Sequence, residues 1–457
     1  MQARSLAILL ATVLSFGAFI WFFERDLPSS DERKELATRL FRIAAADVLS
    51  AEITVGEEVI AFERSEGPEG DEVEDAADAD EDVGWRITRP LESPAENFRV
   101  DGLVRTVVEL SSSRSLAVDD AEAVGLAPPR GTVTLGLRGG DSLTVEVGAE
   151  VPASSNMIVR VAGDPEAHVT SDSLWSDLTR PVGDWRRTAM FPAVAGDIES
   201  FRVTGPEGTV ELVRDQNGFR LARPVSDRAS AVAVDSFSRS ISGLRARSFV
   251  DDLSDVAALG FDPPASSVEV GFGDDQSLLL EWGAEVAAGD GHYARIGEVI
   301  FETIADLGPA LSRSAQEWRS HAWTTIAGFE VDQLRIDDED GSSNLVRDSG
   351  DWTRDGDRID FGLVSRLLDA VTDAEAESVL SERPAELALG EPLIVLTLTT
   401  RGDTVETLRL YSSDADGGPI ATTEGRDAAL LMTPDLAADL AARIEAIREA
   451  DPPHPNS

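Results

Sequence analysis

The chain contains no cysteine. Disulfides, thiolate zinc sites and cysteine nucleophiles are therefore excluded, and stability has to come from packed apolar cores. Lysine is nearly missing too: Lys34 is the single one among 40 basic residues, which face 85 aspartates and glutamates. The resulting net charge of −45 excludes a nucleic-acid partner, because so acidic a surface repels phosphates. Histidine is scarce, and none of His168, His292, His321 and His454 lies three or four positions from another, so no helical zinc pair is encoded. No Gly-x-Ser-x-Gly elbow, Ser-x-x-Lys pair, phosphate-binding loop or dinucleotide fingerprint occurs. Neither a catalytic residue nor a cofactor is expected on these grounds.

Long apolar runs are limited to one. Residues 5–23 carry no charge from Ser5 to Phe23, enough at about 1.5 Å per residue to cross roughly 30 Å of hydrocarbon. A cleaved signal peptide is the rival reading, but the run ends in Trp21-Phe22-Phe23, which suits an interfacial anchor better than a cleavage site. Arg4 precedes the run, and Glu24, Arg25 and Asp26 follow it. The expectation is a transmembrane anchor over 1–28, crossing the inner membrane once, with the N-terminus cytoplasmic and the body extracytoplasmic.

What the chain does have is repetition. A block of Gly or Asp, an aromatic residue and Arg or Thr occurs as Gly84-Trp85-Arg86-Ile87-Thr88-Arg89-Pro90, as Gly218-Phe219-Arg220-Leu221-Ala222-Arg223-Pro224, and more weakly as Asp351-Trp352-Thr353-Arg354. The blocks are spaced by 134 and 133 residues. After each come apolar positions at helical spacing: Val100, Leu103, Val104 and Val107; Val234, Phe237 and Ile241; Val364, Leu367, Leu368 and Val371. A turn follows, with Gly125 and Pro128, then Gly260 and Pro263, then Gly390 and Pro392. Alternating strands succeed it, Val133-Leu135-Leu137, Val268-Val270-Phe272 and Ile394-Leu396-Leu398, and the first two repeats share Gly-Ala-Glu-Val at 148–151 and 283–286.

The expected architecture is α+β: the transmembrane helix, then three tandem repeats with mostly antiparallel sheets and helices on one face. The boundaries read 29–190, with an acidic disordered insert at 65–83, then 191–323, a divergent third repeat at 324–450, and a disordered tail at 451–457. Trp85, Phe219 and Trp352 are expected as core anchors of the three repeats.

The tryptophan-arginine block, the amphipathic helix, the Gly-Leu-x-Pro-Pro turn and the strand ending in Gly-Ala-Glu-Val together resemble the bacterial DUF4340 family. His292-Tyr293-Ala294-Arg295 matches a Tyr-x-Arg segment of that family, whereas Met157-Ile158-Val159-Arg160 lacks the tyrosine. The resemblance implies no catalytic residues. It implies an accessory protein encoded beside an ABC transporter of the gliding-motility type, with the permease, the ATPase and an auxiliary component as partners.

The expected function is therefore a non-enzymatic, membrane-anchored accessory or scaffold protein that presents sheet edges and grooves to a transporter. The alternatives are an envelope hydrolase using carboxylates and a calcium-stabilised rod. For the latter, Asp414 and Asp416 match two positions of a calcium loop, but Thr423 stands where a bidentate glutamate is needed.

Overall fold

Alternation of apolar and polar residues builds the centre of each repeat. Ile53 faces Val133 and Ala51 faces Leu135 across one antiparallel pair; Val203 faces Val268 and Phe201 faces Val270 across the second; Ile336 faces Leu396 and Leu334 faces Leu398 across the third. All twelve side chains are buried, so each central pair has one face in a core. The computed structural model describes residues 38–65 and 84–450, apart from 119, 192–194, 217, 253–255, 274–275, 288 and 413–417.

In the first repeat the strands are β1 (Val48–Val55), β2 (Glu58–Ser65), β3 (Gly84–Arg89), β4 (Ser93–Pro94), β5 (Arg114–Ala117), β6 (Gly131–Leu137), β7 (Ser142–Glu150), β8 (Asn156–Val161) and β9 (Glu166–Ser171). They make one nine-stranded antiparallel sheet in the order β4-β3-β2-β1-β6-β7-β8-β9-β5. The helix α1 (Asn97–Val108) thus carries the chain from one sheet edge to the other, before the chain returns to the centre at β6. Two further nine-stranded sheets, within 198–303 and 331–431, repeat this order strand for strand. The chain divides after Thr188 into two compact units, the first holding the first sheet and the second holding the other two.

Each crossing helix covers one face of its sheet. In α1 the buried stripe is Val100, Leu103, Val104, Val107 and Val108. A short helix, α2 (Ser173–Leu178), adds Leu174 and Leu178 to the same core. The second repeat has α3 (Ala231–Ser242), with Val234, Phe237, Ser238 and Ile241 buried, and the single turn α4 (Gly308–Leu311). The third has α5 (Phe361–Thr372), burying Val364, Leu367, Leu368 and Val371, and α6 (Leu436–Glu449), burying Leu436, Leu440, Ile444 and Ile447. Full burial of one such side chain contributes roughly 1.5–3 kcal/mol, so each stripe outweighs the modest propensity of a twelve-residue helix. Ser230 and Asp360 cap α3 and α5 by accepting the backbone N–H of Ala233 and Leu363. Before α1 the same place is taken by Glu96, which makes no cap bond; Asn97 instead accepts the Trp85 N–H at 2.7 Å.

Two expectations are corrected here. The repeats are mostly β, not α+β, because strands of only two to four residues extend every sheet beyond what sequence alternation displays. In addition, among the described residues no helix is long and apolar enough to cross a membrane. The longest, α6, has 14 residues and carries Asp439, Arg443, Glu445, Arg448 and Glu449; at 1.5 Å rise it spans about 21 Å. The expected anchor at 5–23 lies outside the described residues, as do the tail at 451–457 and all of the insert expected at 65–83 except Ser65, which ends β2. The single-pass inner-membrane location, which rested on that anchor, is withdrawn.

Candidate functional site

The repeated aromatic position sits on the strand next to one sheet edge, shortly before the crossing helix. Trp85 and Trp352 are buried in the first and third cores, and Phe219 packs half-buried against the second. Directly across the strand pair from each stands an arginine: Arg64 opposite Trp85, Arg214 opposite Phe219 and Arg347 opposite Trp352. Arg64 lies 4.9 Å from the centre of its ring and Arg214 lies 4.6 Å from its own, within cation–π range. This arginine escaped the sequence reading because the insert lengthens the gap between it and the aromatic in the first repeat alone.

Two separate sequence motifs turn out to be one feature. The turn carrying Gly125 and Pro128 docks on a bulge in β7 formed by Gly148 and Ala149, where Ala149 N–H donates to Val124 O at 2.9 Å. Gly260 and Pro263 meet Gly283 and Ala284 in the same way. Gly260 has φ +84°, and a Cβ there would stand 2.5 Å from the Ala284 nitrogen. The Ala127–Pro128 and Asp262–Pro263 peptide bonds are cis. In the third repeat the neighbouring strand pair shows no bulge among the described residues, and Gly390 has no positive φ; a Cβ added there would meet nothing within 4 Å. Pro392 is half-buried beside it. The arginine of the Tyr-x-Arg segment is also accounted for. Arg295 pairs with Glu281 at 2.5 Å and stacks over Phe261 at 4.9 Å, as Arg160 pairs with Glu146 in the first repeat.

A cluster of buried charges lies between the second and third repeats. Asp227, from the second, accepts Arg319 Nε at 2.7 Å and Arg426 Nε and Nη2 at 2.8 and 3.1 Å. All three side chains are more than nine-tenths buried. Burial pushes the Asp227 carboxyl up, but Arg426 and then Arg319 outweigh it and hold the group below its ordinary value. Arg426 also donates to Ser320 O and Ala322 O. Beside this cluster Glu406 pairs with Arg228 and accepts the Thr324 hydroxyl.

Next to Thr324 the third repeat opens to solvent. A cleft of about 490 Å³ lies between α5 and the segment 324–329, with Arg347, Trp352, Phe361, Ser365, Asp369 and Asp373 in its walls. Phe329 and Phe361 expose 78% and 50% of their surface, unusual for large aromatics. Arg347 lies 5.7 Å from the Phe361 ring and donates from Nη1 to Phe329 O at 3.4 Å. A second cleft of about 470 Å³ shares Thr325, Ile326 and Phe329 and adds Glu330, Arg401 and Thr404. Nothing in the sequence marks this place, since Phe329 and Phe361 look like ordinary core aromatics. Asp414 and Asp416 lie outside the described residues, and among the described residues no three His, Asp or Glu side chains converge to hold a metal ion.

The profile of the family described as a domain of unknown function, DUF4340, matches residues 85–264 and again 220–392. The matches begin 135 residues apart, each within an aromatic block, and each runs past two crossing helices, so their starting points follow the period of the sheets. The two matches together span more than half of the chain, and the protein belongs to the DUF4340 family. No curated protein and no solved structure matches it.

Proposed function

We propose that this protein is a non-enzymatic scaffold serving an ABC transporter as an accessory subunit. One observation carries the scaffold half of the reading: a buried carboxylate, Asp227, is held by two arginines in the joint between two repeats. A general acid or base needs a pKa near the working pH and access to a reacting atom. Asp227 is shifted the opposite way and is enclosed by side chains that fix one repeat to the next. That arrangement suits a body whose purpose is to hold a shape. The transporter half rests on what the family resemblance implies.

The test is crosslinking of the tagged full-length chain in its native cells, followed by detergent extraction and mass spectrometry. Reproducible recovery of a permease and its ATPase is the expected result. Recovery of the chain without either component overturns the transporter assignment.

A further inference from the structure

The third repeat opens a cleft at the place where the first repeat holds a carboxylate of its own. In the first repeat Asp101, the fifth residue of α1, accepts Arg64 Nη2 at 2.6 Å and Trp85 Nε1 at 2.9 Å on the same oxygen. Arg64 and Trp85 stand opposite each other in register, as Arg347 and Trp352 do in the third repeat. There the fifth residue of the crossing helix is Ser365, which is shorter and uncharged. Arg347, Trp352 and Ser365 all line the cleft, and among the described residues no carboxylate pairs with Arg347. The arginine that, beside a buried tryptophan, binds a carboxylate of its own repeat in the first unit thus lines an open cleft in the third, where Trp352 stays buried behind it.

An arginine fork beside aromatic surface recognises a carboxylate through charge-assisted hydrogen bonds. The same cleft carries the opposite charge along α5, where Asp369 and Asp373 follow Ser365 at four-residue steps. Between these ends the rings of Phe329 and Phe361 remain exposed. The complementary ligand has a carboxylate, an ammonium group and an apolar side chain. A volume of about 490 Å³ falls within the roughly 300–1,000 Å³ of small-molecule sites. We propose that this cleft binds an apolar zwitterion, a free amino acid or a short peptide, whose carboxylate takes at Arg347 the place that Asp101 takes at Arg64. The ammonium group then faces Asp369 and Asp373, and the side chain lies against the two phenylalanine rings. This binding does not depend on the transporter assignment.

Isothermal titration of the full chain tests it, with L-phenylalanine and the dipeptide of leucine as the two sources of the ligand chemistry. The controls are 3-phenylpropanoate, 2-phenylethylamine and glucuronate. Saturable binding of one or both zwitterions is expected, weakened at least about tenfold when either charged end is missing. Ser365→Asp rebuilds the first repeat's arrangement, so it is expected to fold, as judged by near-UV circular dichroism, while abolishing binding. Arg347→Gln is expected to weaken binding at least about tenfold. The proposal is overturned if neither zwitterion binds, if the deaminated acid or glucuronate binds as well as they do, or if folded Ser365→Asp keeps the parent affinity.

Discussion

Asp227 and Arg426 are 199 positions apart in the chain, yet they meet through two hydrogen bonds of 2.8 and 3.1 Å that join the second repeat to the third. Removing the carboxylate leaves Arg319 and Arg426 buried without their counter-charge. Breaking a buried ion cluster on one side typically costs about 3–5 kcal/mol. Asp227→Ala is expected to lower unfolding stability by about that amount in a urea titration. A loss below about 1 kcal/mol would show that the joint is held by its apolar contacts instead.

The same group sets a pH dependence. Its folded pKa lies below the ordinary value of 3.8, so its stabilisation is fully present above that value and is lost as pH falls through the folded pKa. Between pH 5 and 8 Asp227 contributes no slope, because it is ionised in both the folded and the unfolded chain. Thermal melts of the parent and of Asp227→Ala are expected to differ by a constant amount across that range and to converge below pH 3.8. A difference that grows steadily from pH 5 to 8 contradicts the assignment.

Gly260 and Gly390 occupy the same place in the sequence pattern but opposite places in the fold. Gly260 has a positive φ and is pressed against the Ala284 nitrogen, whereas Gly390 has neither constraint. An L side chain in the left-handed region costs about 1–2 kcal/mol before any clash is counted. Gly260→Ala is therefore expected to destabilise by at least about 1–2 kcal/mol, and Gly390→Ala to be neutral or stabilising by up to about 1 kcal/mol. Equal effects, measured by chemical denaturation, would remove the distinction between the two turns.

The central strands and crossing helices were legible in the sequence because each presents a full apolar period, as in Val133-Leu135 or Val364-Leu367-Leu368-Val371. The edges were not. A strand such as Ser93–Pro94 or Ser248–Phe249 is too short to alternate, and it exists because a neighbouring strand offers hydrogen bonds. This is why an α+β expectation became a mostly β fold. The docking of Gly260 on the Ala284 bulge joined two motifs that the sequence showed only as separate landmarks. The cleft was the least legible part. Its decisive difference is the absence of a carboxylate at Ser365, and that acquires meaning only when the third repeat is laid over Asp101 of the first.

Both margins of every sheet are closed by strands of two to four residues. An incoming peptide strand could form only a few main-chain hydrogen bonds there before running out of template. The expectation that sheet edges serve as the docking surface thus loses its physical basis. Margins this short limit how far any one sheet can template another strand. Any partner has to be recognised by side chains on faces and in clefts, where specificity is written residue by residue.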